Sequence, residues 1–78
     1  MLIFKSTLRW NINYYNRSVF ESVSNLPKTL RAKYIAITDM MIKYGPDLGM
    51  PHTRAMSKGL FEIRLKGKEG IARIFYCI

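Results

Sequence analysis

The sequence predicts an α+β domain in which two helices pack on a small antiparallel sheet, in the chain order β-α-α-β-β. Residues 59–78 alternate apolar and charged side chains about a glycine-containing turn, as a β-hairpin does. A central stretch places apolar side chains at steps of three and four residues, the spacing of a helix that covers a sheet. Residues 1–78, with Cys77 as the one cysteine, predict a single domain without a disulfide.

The first element is predicted as one strand over residues 2–10, at or near the edge of the sheet. Its shared face would carry Leu2, Phe4, Leu8 and Trp10. Residues 11–16 are rich in asparagine and are predicted to form a connection that can cap a helix. The short helix that follows has an apolar stripe of Val19, Phe20, Val23 and Leu26.

The second helix is the clearest element of the sequence. Pro27 suits its first turn, and Gly45 followed by Pro46 predicts its end. Its apolar stripe consists of Leu30, Tyr34, Ile37, Met41 and Tyr44, which we expect to pack on the sheet. Residues 47–58 are predicted to form a loop between this helix and the hairpin.

The hairpin has a register that can be worked out from its turn. If Lys66 faces Ile71 across the turn, the apolar residues of both strands share one face and Arg64 lies directly opposite Arg73. The two Cβ atoms would then be about 5 Å apart, where like charges repel. A bound anion is one means of offsetting this repulsion. An ion-pair cluster with Glu62, which lies diagonal to Arg73, is the other.

The end of the hairpin is apolar and strand-forming but is followed by neither a turn nor a charge. Such a strand end invites pairing with another chain. We favour the interpretation that further residues belong after Ile78, so that the domain is truncated here. Self-association through the open strand edge is the alternative.

Charge points to the class of partner. Thirteen basic and five acidic residues give a net charge of +8, which favours a polyanion, with nucleic acid ahead of a membrane. A solvated basic surface without a partner would have the same composition. The apolar start of the chain meets Lys5 too early for a signal-peptide core, and no run reaches membrane-spanning length, so a cytoplasmic location is expected.

Residues 26–33, 44–52, 59–65 and 70–76 together resemble RelE/HigB-type toxins of bacterial type II toxin–antitoxin systems, in particular the phage-derived branch. The resemblance implies a fold like that of small microbial ribonucleases and cleavage of mRNA on the ribosome. It also implies a cognate antitoxin, of helix-turn-helix type, as a partner. The family continues through another strand and often a helix that complete the site, so weak or lost activity is expected of this chain.

By the same resemblance, Arg64 and Arg73 hold the scissile phosphate, and Glu62 replaces a lysine that some members carry. The guanidinium groups of Arg64 and Arg73 suit phosphate oxygens and can stabilise charge on phosphorus. Four further cations are predicted to contact RNA, namely Arg54, Lys58, Lys66 and Lys68.

A general acid and a general base are harder to assign. His52 is the one histidine, the residue type most often used for proton transfer, but its loop favours a solvated or capping role. Glu62 lies beside two arginines, which makes it a poor candidate for the base, and Tyr76 is expected to point into the core. The residue types present predict neither a metal site nor a cofactor, and the glycines lack the spacing of a phosphate-binding loop.

Two other functions share these features. One is a non-catalytic module that binds nucleic acid or an antitoxin through the basic face and the open strand edge. The other is a gyrase inhibitor of the related ParE group, which has the same fold. The sequence does not separate either from an mRNA endoribonuclease.

Overall fold

In a computed structural model, residues 2–6 and 10–78 are described. They form an α+β fold of two helices and a five-stranded mixed sheet, which confirms the predicted class. The strands are β1 (Leu2–Ser6), β2 (Trp10–Tyr14), β3 (Thr53–Ser57), β4 (Leu60–Gly67) and β5 (Gly70–Cys77), and the helices are α1 (Arg17–Ser24) and α2 (Lys28–Tyr44). The order in the sheet is β2-β1-β5-β4-β3.

Helix α1 begins after the asparagine-rich segment as predicted, but it ends at Ser24, before Leu26 of the predicted stripe, and Phe20 of that stripe is exposed. The Asn16 side chain accepts a hydrogen bond from the Val19 N–H at 2.9 Å, which caps α1. Helix α2 follows Pro27 and ends at Gly45, whose φ of 107° is favourable only for glycine. The α2 stripe is buried against the sheet except for Tyr44, which is exposed at the last turn.

The prediction of a single first strand is wrong. Residues 2–6 and 10–14 form an antiparallel pair, β1 and β2, and β1 lies inside the sheet between β2 and β5. The polar residues of β2 resemble a loop in sequence, but an edge strand tolerates them because one of its sides needs no partner strand. The predicted shared face of Phe4, Leu8 and Trp10 lies outside the described side chains.

The prediction of a loop over residues 47–58 is also wrong in its second half. Strand β3 pairs antiparallel with β4, with Thr53 opposite Ile63 and Arg54 opposite Glu62. Only Thr53 is buried, and the four residues after it are exposed. A strand with one buried residue has no alternating pattern, which is why its sequence resembles a loop.

The hairpin has the predicted register along its whole length, including Arg64 opposite Arg73. Ile63 and Leu65 of β4 and Tyr76 of β5 are fully buried in the core beneath α2. The strand end is not open, because Tyr76 and Cys77 pair with Leu2 and Ile3 of β1 in parallel. The prediction of self-association through that strand end is therefore wrong at these two residues, because each already has a partner strand on both sides.

Tyr34 provides a test of how α2 is anchored. Its hydroxyl lies 2.9 Å from the Tyr14 hydroxyl, and burial, aided by Tyr14, raises the pKa of Tyr34 far above its usual value. Unfolded tyrosine ionises near pH 10, so the folded form loses stability as pH rises beyond that value, by up to about 1.4 kcal/mol per pH unit. We expect Tyr34→Phe to reduce this slope in urea unfolding between about pH 9 and pH 11. Tyr44→Phe, at an exposed position, should leave the slope unchanged, and an equal slope in all three proteins would contradict the assignment.

Candidate nucleic-acid interface

The sheet face opposite the buried side of the hairpin carries charged and exposed apolar side chains. Because side chains alternate along a strand, those that flank Ile63, Leu65 and Tyr76 point away from the core. They are Glu62, Arg64 and Lys66 of β4 and Ile71, Arg73 and Phe75 of β5, here called the arginine face. Ile71 and Phe75 are 65% and 42% exposed, so apolar surface flanks Arg73 along β5.

At the centre of the arginine face, one carboxylate lies near two guanidinium groups. Glu62 Oε1 is 3.4 Å from Arg64 Nε and 3.9 Å from Arg73 Nε. The Glu62 side chain is only 4% exposed, whereas those of Arg64 and Arg73 are 36% and 58% exposed. The ion-pair cluster expected as the alternative to a bound anion is therefore present, and it offsets the repulsion between the facing arginines.

The cluster keeps a positive excess and free capacity for an acceptor. Both arginines approach Glu62 through Nε, and a guanidinium has further donors on its two Nη atoms. Arg54, which pairs with Glu62 in the β3–β4 register and is exposed, adds a third cation on the neighbouring strand. An anion can thus approach Arg64 and Arg73 from solvent while Glu62 stays in place.

The other predicted RNA contacts do not all lie together. Lys66 follows Arg64 on the same face of β4 and is exposed. Lys58 and Lys68 lie in the turns at the two ends of β4, whose eight residues span about 25 Å. The structure brings Arg54 and Lys66 near the arginine pair and leaves Lys58 and Lys68 at the two ends of the strand.

The turn that carries Lys68 is attached to the start of α2. The Lys68 N–H donates to Thr29 Oγ1 at 3.0 Å, and the Thr29 hydroxyl donates to the Glu69 carboxylate. This hydroxyl hydrogen bond holds the pKa of Glu69 below its usual value. A Cβ on Gly67 would lie 2.6 Å from Thr29 Oγ1, so a larger residue at this position would displace the Thr29 side chain.

The loop predicted for residues 47–58 did not indicate that His52 lies next to Arg64. The Arg64 N–H donates to the His52 carbonyl at 3.0 Å, which extends the β3–β4 ladder by one residue and places His52 beside the arginine face. His52 is half-buried and lines a pocket with Arg64 and Lys66. His52 directly precedes β3, so its position next to Arg64 follows from the pairing of β3 with β4. A sequence pattern that indicated β3 would also have indicated this position.

Other proton-transfer candidates lie elsewhere. Tyr76 points into the core as predicted, donates a hydrogen bond to the Pro46 carbonyl, and has its pKa raised by burial. Within residues 2–6 and 10–78, the structure contains no cluster of three or more side chains suited to hold a metal ion.

A family model described as Phage derived protein Gp49-like (DUF891) matches residues 21–78. The chain belongs to this Gp49-like family. The match covers α2, β3, β4 and β5, and with them every residue of the arginine face. The Gp49-like family is associated with the toxins of toxin–antitoxin systems, which suggests an antitoxin as a partner of this chain. No significant match was found among curated proteins or among solved structures.

In the part that the structure describes, neither helix is long and apolar enough to cross a membrane.

Proposed function

We propose that this Gp49-like chain is a RelE/HigB-type toxin that cleaves mRNA on the ribosome in the cytoplasm. The observation that carries the proposal is the arginine pair, in which Arg64 and Arg73 face each other on adjacent strands with partly exposed guanidinium groups. Guanidinium groups bind phosphate through paired N–H donors and keep their charge at any physiological pH. An antitoxin of helix-turn-helix type would hold the toxin inactive.

The reaction begins with attack of a ribose 2′-oxygen on the adjacent phosphorus. The bond from phosphorus to the 5′-oxygen of the next nucleotide breaks, which leaves a 2′,3′-cyclic phosphate and a 5′-hydroxyl. A base takes the 2′-hydroxyl proton and an acid supplies one to the leaving oxygen. Arg64 and Arg73 stabilise the charge that grows on the phosphate oxygens, while Arg54, Lys58, Lys66 and Lys68 contact the RNA backbone.

We expect cleavage to be slow, because Glu62 competes with the substrate. Its carboxylate is already paired with both arginines. Their attraction for a phosphate oxygen is therefore weaker than it would be without Glu62. Glu62 is also the one carboxylate of the arginine face, and it is engaged by both arginines, so we do not assign the acid to it.

The proposal is tested by mapping mRNA ends after expression of the chain in bacteria and after incubation with programmed ribosomes. New ends should appear at a low rate with the unaltered chain and be absent with the Arg64→Ala/Arg73→Ala double variant. The matched control is Arg17→Ala/Arg31→Ala, which removes the same charge from exposed positions on α1 and α2. Equal cleavage by both double variants would contradict the proposed role of the arginine pair.

A non-catalytic binding module is the second candidate, and a feature of β5 favours it. Within the described residues β1 pairs with β5 only at Tyr76 and Cys77, so the edge of β5 over residues 70–75 faces no strand there. An extended antitoxin segment can add a strand at such an edge. RNA binding that weakens steeply with salt and yields no product would support this function over the first. Inhibition of DNA supercoiling would instead indicate a gyrase inhibitor.

A further inference from the structure

A second basic site lies beside the arginine face, at the edge of β4 that β3 leaves uncovered. It is a pocket of about 370 Å³ between α2, the segment before β3, and β4. Its lining residues are Lys33, Ala36, Ile37 and Met40 of α2, Pro51 and His52, and Arg64 and Lys66 of β4.

The charged residues that line this pocket are all positive. Lys33, Arg64 and Lys66 are cations, and the lining contains no carboxylate. The rest of the lining is apolar, which lowers the local dielectric and strengthens the attraction for an anion. These cations come from two separate elements, so the pocket does not result from a single run of basic sequence.

The backbone adds a donor to the same site. The pair of Thr53 with Ile63 is the last of the β3–β4 register, and one further hydrogen bond joins the Arg64 N–H to the His52 carbonyl. In an antiparallel ladder, alternate residues direct their N–H groups to the same side. The Lys66 N–H therefore points to the same edge as that of Arg64, beyond the end of β3.

We propose that this pocket binds a phosphate group. The inference rests on the proposed function, because Arg64 belongs both to the pocket and to the arginine pair. An RNA strand whose scissile phosphate lies between Arg64 and Arg73 would place a neighbouring backbone phosphate in the pocket. His52 and Lys33 are then positioning residues that fix the register of the RNA on the toxin. Free phosphate has the same chemistry and is the other source of the ligand.

The first experiment uses inorganic phosphate and no RNA. Its addition to the full chain should shift the NMR resonances of the His52 ring and the Lys66 amide in a saturable way. Lys33→Met should lower the affinity for phosphate, read from the saturation curve, several-fold. Lys43→Met, at an exposed position in the last turn of the same helix, should leave this affinity unchanged. Shifts of equal size and affinity in all three proteins would overturn the phosphate site.

The second experiment uses a short RNA whose riboses are 2′-O-methylated, so that it binds without being cleaved. Lys33→Met and His52→Asn should each weaken binding about three- to tenfold, and Lys33→Met should also reduce the salt dependence by about one counterion. Lys43→Met again serves as the control, and a loss equal to that of Lys33→Met would show an effect of net charge alone.

The two proposals fail in different ways. If Arg73→Ala abolishes RNA binding while Lys33→Met and His52→Asn leave it unchanged, the pocket is not a subsite for RNA and the toxin function stands. If the arginine variants leave RNA cleavage and RNA binding unchanged, the proposed function fails. Phosphate should then still shift the His52 ring resonances, and Lys33→Met should still weaken that effect. The pocket is then a site for free phosphate.

Discussion

Replacing Arg73 with alanine should slow RNA cleavage by about 100- to 1,000-fold, as loss of one group that stabilises transition-state charge typically does. Arg73 is the better of the two arginines to remove, because it is 58% exposed and lies outside the phosphate pocket. The measurement is the single-turnover rate on ribosome-bound mRNA, since it separates the chemical step from binding. Arg73→Lys keeps the charge but loses the paired donors, so its rate should fall between the two.

Arg17→Ala is the matched control for this result. Arg17 is exposed on α1 and pairs with Glu21 at 3.0 Å, so its loss lowers the net charge equally without affecting the arginine face. The rate of this variant should stay within about twofold of the unaltered chain, because an exposed ion pair contributes little. A comparable slowing in both variants would mean that overall charge, and not the position of Arg73, sets the rate.

Replacing Glu62 with glutamine should lower the free energy of unfolding and at the same time tighten RNA binding. The Glu62 carboxylate is ion-paired with both facing arginines, so its loss restores the repulsion between them. The glutamine amide would also be a buried polar group that is poorly paired. Together these effects should cost about 1–3 kcal/mol. The same loss frees both guanidinium groups for phosphate, which should steepen the salt dependence of RNA binding by up to about one counterion. Urea unfolding and binding of the 2′-O-methylated RNA measure the two effects.

Glu21→Gln makes the same change of charge in an exposed ion pair. It should alter the free energy of unfolding by less than about 0.5 kcal/mol and leave RNA affinity nearly unchanged. A Glu62→Gln variant that loses both stability and RNA affinity would contradict competition between carboxylate and phosphate. That outcome would instead indicate that Glu62 orients the arginines for the substrate.

The elements that the sequence predicts correctly are those whose evidence is local. The hairpin register follows from a strict alternation and a four-residue turn, and α2 follows from its stripe between Pro27 and Gly45. Arg64 and Arg73 could therefore be placed opposite each other from the sequence alone. The position of Glu62 near both was also within reach of that register, although its burial was not.

The elements that the sequence misses depend on distant partners. Strands β2 and β3 lie at the two edges of the sheet, and their polar or exposed residues lack the pattern of a half-buried strand. The pairing of β1 with β5 joins segments from opposite ends of the chain, which local patterns do not indicate. The phosphate pocket was missed for the same reason, because His52 meets Arg64 only when β3 pairs with β4.

The parallel pairing of Leu2 and Ile3 with Tyr76 and Cys77 also constrains the order of events during synthesis. Strand β1 leaves the ribosome well before β5, its second partner in the sheet, because both helices and three other strands lie between the two in the chain. Closing so long a loop has an entropic cost that only the finished sheet offsets. A chain in which β5 has not yet joined the sheet has neither this β1–β5 pairing nor an arginine pair, because Arg73 lies on β5.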